Sequence, residues 1–312
     1  MQNQRKPNHP EWKIVKLIQW AAAYFKTHGI DSPRSTAEIL LAHVLHTKRI
    51  DLYLNYDQPL TDDELQHFKV LLKRRIKREP VAYIVGTKGF WSIDVLVSSD
   101  VLIPRPETEC LVERAIAALS DDSSSRTKRI LELGTGSGAV IVSLAAHYPM
   151  HSYFASEISY AAIQIAYRNA RRHQLENKIH FFSGDWLAPL RLDNYFFDLI
   201  LSNPPYIKTE AVAKLQPEIV AFEPIIALDG GSDGLDSIKQ IVQAAHQYLK
   251  PGGTLMLEIA HDQKEGIHRI MTQCGHYDSF VCRKDYSGDD RIVEMRKKCC
   301  GTRHNLLHTM NF

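Results

Sequence analysis

The chain has 312 residues, 44% of them hydrophobic, and its formal net charge at pH 7 is +2. This length predicts two domains, and the composition is typical of a globular protein with a sizeable core. So small a charge does not indicate nucleic-acid binding. No apolar run predicts a membrane span, and the first residues lack the apolar centre of a secretory signal. The five cysteines form neither a zinc-ligand pattern nor a disulfide framework, which predicts no metal and reduced thiols in a cytoplasmic protein.

The first predicted elements are helices, between residues 11 and about 80. Apolar residues recur at helical spacing in the segments 14–25 and 37–45. A third helix is predicted to begin at Thr61-Asp-Asp-Glu64, whose hydroxyl and carboxylate have the spacing of a capping box. It ends in a basic run, 73–78, which suits the negative end of a helix dipole. This run is predicted to be a solvated helix end, with binding of an acidic partner as the alternative.

Beyond the helices the period of the apolar residues changes. From Tyr83 to Ile103 they tend to alternate, as in Ile93 and Val95, and Thr87-Lys88-Gly89 is predicted to be a turn. This pattern predicts a β-hairpin that links two domains.

From about Arg105 onward, predicted strands and helices alternate, which indicates an α/β fold with a mostly parallel sheet. The predicted strands are Arg129–Leu133, Tyr153–Glu157, Ile179–Ser183, Phe197–Ser202 and Thr254–Ile259. Helices are predicted between most of them, for example Tyr160–His173 and Asp236–Leu249. Two final strands, near 279–283 and 291–296, are predicted to form an antiparallel hairpin that closes the sheet. A polar loop is predicted at 120–127.

A glycine-rich loop follows the first of these strands. The segment Gly134-Thr135-Gly136-Ser137-Gly138 ends a strand and opens a helix, where glycines let the backbone turn tightly and approach a ligand. Taken alone, the loop also fits the dinucleotide fingerprint of a dehydrogenase. Glu157, at the end of the next strand, does not decide between a dinucleotide and another nucleoside-containing cofactor, because the ribose of either one favours a carboxylate there.

Two later strand ends separate these alternatives. After the third strand, Asp185 and Trp186 offer a carboxylate and an aromatic face for an adenine. After the fourth strand comes Asn203-Pro204-Pro205-Tyr206, for which a dehydrogenase has no use. This segment lies at the carboxyl end of a strand, where ligands bind in open α/β sheets.

The Asn-Pro-Pro-Tyr segment indicates chemistry on nitrogen. The lone pair of an amide nitrogen is delocalised, so the nitrogen is a poor nucleophile, but it has two N–H donors. The Asn203 side-chain oxygen and the Pro204 carbonyl can accept one each, which orients the lone pair toward a sulfonium methyl group. The two prolines stiffen the loop, and Tyr206 is expected to wall the pocket with its ring.

Together these segments resemble the HemK/PrmC family of protein-(glutamine-N5) methyltransferases, over residues 12 to 296. Besides the glycine loop and Asn203–Tyr206, the most specific matching segments are Arg78–Gly86, Leu102–Glu109, Glu223–Leu228, Gly234–Asp236, Asp285 and Asp290–Val293. Two positions depart from the family pattern: Glu157, where aspartate is more common, and Ala260, where glycine often occurs.

The resemblance implies a seven-stranded, Rossmann-like methyltransferase sheet preceded by a helical domain that helps to bind a peptide chain release factor. It implies contacts of S-adenosyl-L-methionine with the glycine loop (134–138), Glu157, Trp186 and Asn203, to which we add Asp185. It also implies that Asn203, Pro204, Pro205 and Tyr206 receive the glutamine of a Gly-Gly-Gln loop in the release factor and form the catalytic segment.

The domain expectation is a substrate-recognition domain at 1–80, a hairpin linker at 81–104, a methyltransferase domain at 105–297 and a tail at 298–312. A ribosomal-protein glutamine methyltransferase is the nearest alternative. An adenine-N6 DNA methyltransferase would need a basic cleft and a target-recognition region. A binding module without catalysis and a dehydrogenase are further alternatives. We expect no direct contact with nucleic acid or membrane.

Overall fold

A computed structural model describes residues 12–120, 126–191 and 196–299. The chain divides into two compact units, one formed by Met1–Thr87 with Leu215–Glu223, the other by Lys88–Lys214 with Pro224–Phe312. The predicted tail lies outside the described residues from position 300 onward, as do positions 121–125 of the predicted polar loop. In the ranges that are described, no helix has both the length and the apolar character that a membrane crossing requires.

The first unit is helical around one apolar core. Its helices are α1 (Ile14–Thr27), α2 (Pro33–Val44), α3 (Arg49–Leu54), α4 (Asp62–Ile76), α5 (Val81–Val85) and α10 (Pro217–Phe222). Phe25, Leu40, Leu41 and Phe68 are almost completely buried between them. The capping box at the start of α4 is confirmed, since the Thr61 side chain accepts from Glu64 N and the Glu64 carboxylate accepts from Thr61 N.

The basic end of α4 differs from the prediction of a solvated helix end. Arg75 is buried, and its Nη2 donates to Glu218 Oε1 of α10 at 2.9 Å. Arg78 Nη1 donates to the same oxygen at 3.3 Å, and Arg74 pairs with Glu79. The prediction was wrong for Arg75 because its partner lies 143 residues away in the sequence, where helical periodicity carries no information.

The predicted hairpin is present, but its turn lies later than expected. Thr87–Phe90 form strand β1 and Ile93–Leu96 form strand β2, so Thr87-Lys88-Gly89 belong to a strand. The turn is at Trp91-Ser92, with Trp91 in the left-handed region at φ 54°.

The second unit contains a seven-stranded sheet. Its strands are β3 (Arg129–Leu133), β4 (Ser152–Glu157), β5 (Ile179–Ser183), β6 (Phe197–Ser202), β7 (Leu249–Glu258), β8 (Tyr277–Lys284) and β9 (Asp290–Lys297). Their spatial order is β5-β4-β3-β6-β7-β9-β8, parallel except for β9, which runs antiparallel to both neighbours. The predicted α/β class and the antiparallel final hairpin are therefore confirmed.

Helices connect these strands and cover the sheet. They are α6 (Glu109–Ser120), α7 (Ala139–His147), α8 (Tyr160–Arg172), α9 (Thr209–Val212), α11 (Asp236–Ala245) and α12 (Lys264–Cys274). Helix α11 ends four residues earlier than the predicted Leu249, because residues 246–248 form a turn and Leu249 begins β7. Ile238, Ile241 and Val242 of α11 are fully buried in the core beneath the sheet.

The sheet brings four strand ends to one edge. Leu133 pairs with Ser156 of β4 and with Ser202 of β6, and Ser156 pairs with Phe182 of β5. The chain order reverses between β3 and β6, and such a reversal creates a crevice at the carboxyl ends of the strands. The glycine loop after β3 and the Asn-Pro-Pro-Tyr segment after β6 therefore meet at this crevice.

Candidate active site

The glycine loop joins β3 to α7 in a backbone conformation that favours glycine. Gly134, Gly136 and Gly138 have φ values of 67°, 54° and 78°. A Cβ atom on Gly134 would lie 3.1 Å from Cζ3 of Trp186, so glycine leaves room for that ring. A Cβ on Gly138 would lie 3.1 Å from the Cβ of Ala166, so this glycine permits close packing of α7 on α8.

The Glu157 carboxylate fastens the loop from the end of β4. Its Oε2 accepts from Gly136 N at 2.9 Å, and its Oε1 accepts from Ser159 N at 3.0 Å. The backbone N–H groups of Gly134 and Thr135 both donate to Ser156 O. These hydrogen bonds fix both the Glu157 carboxylate and the glycine loop at the same crevice.

A buried glutamate, Glu132, lies beneath the loop and was not among the predicted site residues. Its Oε2 accepts from the Thr135 hydroxyl and from Ile141 N at the start of α7. Burial raises the pKa of Glu132 to about 8, and the negative charge of Glu157 adds to the rise, although the two hydrogen bonds lower it. The sequence signal was present, because a glutamate between Leu131 and Leu133 inside a buried strand requires a local partner.

Asp185 and Trp186 follow β5, which lies on the far side of β4 from β3. Asp185 is exposed, whereas Trp186 is half-buried against the apolar core and has a φ of 46°. Both residues line the cavity described below.

Asn203 begins the segment that follows β6, and its side chain has a fixed partner. Its Nδ2 donates to Thr108 Oγ1 at 3.1 Å, and Thr108 ends the short helical turn Pro106–Thr108. Ser202 Oγ donates to Leu133 O at 2.7 Å, which ties the end of β6 to the end of β3. Asn203 is therefore fixed beside the glycine loop.

Tyr206 differs from the expectation that its ring walls the pocket. It is not among the residues that line the cavity, and its hydroxyl donates to Glu258 Oε1 at 3.1 Å. Burial and the charge of Glu258 raise the pKa of Tyr206 well above its usual value. The buried carboxylate at the end of β7 draws the hydroxyl inward, away from the crevice. Pro204 does not line the cavity either.

A cavity of about 660 Å³ unites most of the predicted site residues. Its lining includes Gly134, Thr135, Gly136, Ser137, Glu157, Asp185, Trp186, Asn203 and Pro205. Five further residues line the cavity, and none of them was predicted to belong to the site: Thr108, Glu132, Ile225, Ile226 and Gly230. A Cβ on Gly230 would lie 2.8 Å from Pro205 O, so glycine allows this segment to approach the Asn-Pro-Pro-Tyr loop. Gly138 lies outside the lining, consistent with its packing on α8.

Two family models match the chain. The PrmC N-terminal domain matches residues 16–86, and the methyltransferase small domain matches residues 111–223. A release factor glutamine methyltransferase of Geobacter sulfurreducens is 41% identical over 282 residues, which cover 90% of this chain and 96% of that protein. A release factor glutamine methyltransferase of Coxiella burnetii is 41% identical over 268 residues, covering 85% of this chain and 92% of that protein.

Solved structures agree with the fold. The catalytic domain of hMettl16, solved in complex with the MAT2A 3'UTR hairpin 6, superposes with a TM-score of 0.52 at 14% identity. That match covers 78% of this chain and 84% of the other. At this identity the likeness concerns the methyltransferase fold alone. The relatives over nearly the full length carry the family assignment, and this chain, an enzyme with a methyltransferase domain, belongs to the release factor glutamine methyltransferase family.

Proposed function

We propose that this protein transfers the methyl group of S-adenosyl-L-methionine to the side-chain amide nitrogen (N5) of the glutamine in the Gly-Gly-Gln loop of peptide chain release factors. The observation that carries the proposal is that Asn203 and the glycine loop line one cavity, with the Asn203 amide already fixed by Thr108. Membership of the family supports the choice of substrate over a ribosomal protein or DNA.

The cavity fits a nucleoside-sized donor. Its volume of about 660 Å³ lies within the range of about 300–1,000 Å³ that small-molecule sites occupy. The glycine loop lets the backbone come close to a donor at the start of α7. Glu157 offers a carboxylate for ribose hydroxyls, and Asp185 and Trp186 offer a polar edge and an aromatic face for a base. We assign Gly134 to Gly138, Glu157, Asp185, Trp186 and Asn203 to donor binding, with Gly138 acting through packing.

The proposed methyl transfer requires no strong base among the side chains of the site. S-adenosyl-L-methionine would supply an electrophilic methyl group on a sulfonium, whose methyl–sulfur bond breaks as the bond to nitrogen forms and whose electron pair stays on sulfur as a thioether. Asn203 Oδ1 and the Pro204 carbonyl accept the two N–H groups of the substrate amide, which orients the nitrogen lone pair. Pro205 walls the cavity, and Tyr206 anchors the loop to Glu258. The amide proton becomes acidic once the methyl group has arrived and then leaves to solvent.

We further propose that segment 1–80 recognises the release factor, that 81–104 is a linker and that 105–297 is the catalytic domain. The match of the PrmC N-terminal domain to residues 16–86 supports a specialised role for the first segment. The grouping of Leu215–Glu223 with the helical unit adds a piece of the later sequence to it.

Titration calorimetry tests the donor assignment. We expect one site for S-adenosyl-L-methionine or its demethylated product, and no binding of NAD. Glu157→Gln removes one acceptor oxygen and should weaken donor binding about tenfold, whereas Glu210→Gln, at an exposed position of α9, should not. NAD binding of comparable strength would contradict the assignment.

A further inference from the structure

A chain of buried polar side chains lies behind Asn203. Asn203 Nδ2 donates to the hydroxyl of Thr108, which is only 4% exposed. Behind Thr108 is Glu258, which is completely buried and whose Oε1 accepts from the Tyr206 hydroxyl at 3.1 Å. The other oxygen, Oε2, has no hydrogen bond of good geometry to any described residue. The Thr108 hydroxyl favours the charged form of this carboxylate, although no hydrogen bond of good geometry joins the two described side chains.

Fixed charges near Glu258 act in opposite directions. Arg291 favours the ionised carboxylate, and Arg291 is itself fixed by Asp285 Oδ2 at 3.0 Å and by Ile259 O at 3.1 Å. Burial and the charge of Glu107 oppose ionisation, so that the pKa of Glu258 rises to about 7. Above that pH the carboxylate is mainly ionised and can only accept hydrogen bonds.

This arrangement gives the hydrogen-bond chain a direction. A threonine hydroxyl has one proton and two lone pairs. If Thr108 donates its proton to the ionised Glu258, its oxygen can only accept from Asn203, and the Asn203 amide must turn Nδ2 toward Thr108. Oδ1 then faces the cavity. With the amide reversed, Asn203 would present N–H groups to the N–H groups of a substrate amide, and two donors repel.

We propose that Thr108 is a positioning residue which, together with Glu258, fixes the Asn203 amide with its oxygen toward the substrate. The inference rests on the role of Asn203 in the proposed function. It gives the Thr108 hydroxyl a purpose that packing alone does not require, since valine has nearly the same shape.

The test is single-turnover methylation of a purified release factor at pH 8 and saturating S-adenosyl-L-methionine. Thr108→Val should lower the methylation rate about tenfold, the equivalent of one lost hydrogen bond, while the melting temperature and the donor Kd change far less. Thr108→Ser, which retains the hydroxyl, should recover most of the rate. Thr272→Val makes the same replacement at an exposed position of α12 and should leave the rate unchanged.

A double-mutant cycle separates positioning from a general structural effect. If Thr108 acts through Asn203, Thr108→Val should have almost no further effect on the rate of Asn203→Ala. Independent, multiplying effects would overturn the inference, as would a Thr108→Val rate within twofold of the parent while Asn203→Ala is slow. If Asn203→Ala itself methylates at the parent rate, the role proposed for Asn203 fails first, and the two failures are thereby distinguished.

Discussion

At the scale of single residues, the proposed chemistry depends on a few polar side chains at or beneath the crevice. The proposed chemistry depends most on Asn203. Among the described residues its side-chain nitrogen donates to Thr108, and its side-chain oxygen remains available to accept from a substrate. Glu132 and Glu258 are carboxylates in the core beneath the two catalytic loops. Buried carboxylates reduce stability when ionised, so their positions indicate function more than stability.

Replacing Asn203 by alanine should reduce turnover much more than stability. The variant loses the acceptor that orients the substrate amide, and the loss of such a group commonly lowers the rate about a hundredfold or more. Single-turnover methylation at saturating donor, measured beside a melting curve, checks this. If Asn203 only caps a turn, the variant will melt early and yet methylate at the parent rate per folded molecule.

The ionisation of Glu132 predicts a pH dependence of stability. The pKa of Glu132 in the folded protein is raised to about 8 from the ordinary value of 4.5, so the folded state binds more protons than the unfolded state between these values. This group therefore contributes stability below about pH 4.5 that is lost progressively as the pH rises toward 8.

Glu132→Gln removes the titration and keeps an oxygen that can accept from Thr135 and Ile141. Between pH 5 and pH 8, the free energy of unfolding of the parent should fall relative to that of the variant by at least about 1 kcal/mol. Urea unfolding at both pH values measures the difference. A constant difference between the two proteins would show that Glu132 has an ordinary pKa.

At the scale of elements, the sequence predicts the strands closely and long-range contacts poorly. The predicted strands 129–133, 179–183 and 197–202 coincide with β3, β5 and β6. The other predicted strands differ from the observed ones by one or two residues at an end, except that β7 begins earlier, at Leu249. A buried parallel strand is a short apolar run bounded by turn residues, which is a local signal. Helix α3 is only six residues long, which is too short to show a recognisable helical periodicity. Thr108 and Asn203, 95 residues apart, meet only through the sheet topology.

The short helix α3 provides a test of the proposed recognition role of the first unit. Ile50 and Leu54 are four residues apart on one helical face, and they are 61% and 72% exposed. We propose that this pair belongs to the surface that binds the release factor, since contiguous exposed apolar patches mark interaction sites. The double variant Ile50→Ser/Leu54→Ser should lower kcat/KM for the release factor about fivefold or more.

The melting temperature and the donor affinity of the α3 double variant should not change, because both replaced side chains face solvent. Val70→Ser on α4, where the side chain is 56% exposed, is the matched control and should behave as the parent. Equal catalytic efficiency in the α3 variant would remove this face from the substrate-binding surface.

At the scale of the whole molecule, one edge of the sheet carries both the loop proposed to bind the methyl donor and the loop proposed to bind the substrate nitrogen. The reversal of strand order between β3 and β6 places the donor loop and the nitrogen-binding loop side by side. The fold alone does not select the substrate, since methyltransferases of this fold act on many acceptors. The Asn-Pro-Pro-Tyr loop indicates a nitrogen acceptor, and the near full-length likeness to release factor enzymes supports the release factor as the substrate.

The most direct test is to map the transferred methyl group. The full chain is incubated with isotopically labelled S-adenosyl-L-methionine and a purified release factor, and the labelled peptide is sequenced by fragmentation. A large-subunit ribosomal protein and a DNA duplex are offered in parallel. We predict one methyl group on the side-chain nitrogen of the glutamine in the Gly-Gly-Gln loop, none when that glutamine is replaced by glutamate, and none on the other two substrates. Label on the ribosomal protein or on adenine, with an unmodified release factor, would contradict the proposed function.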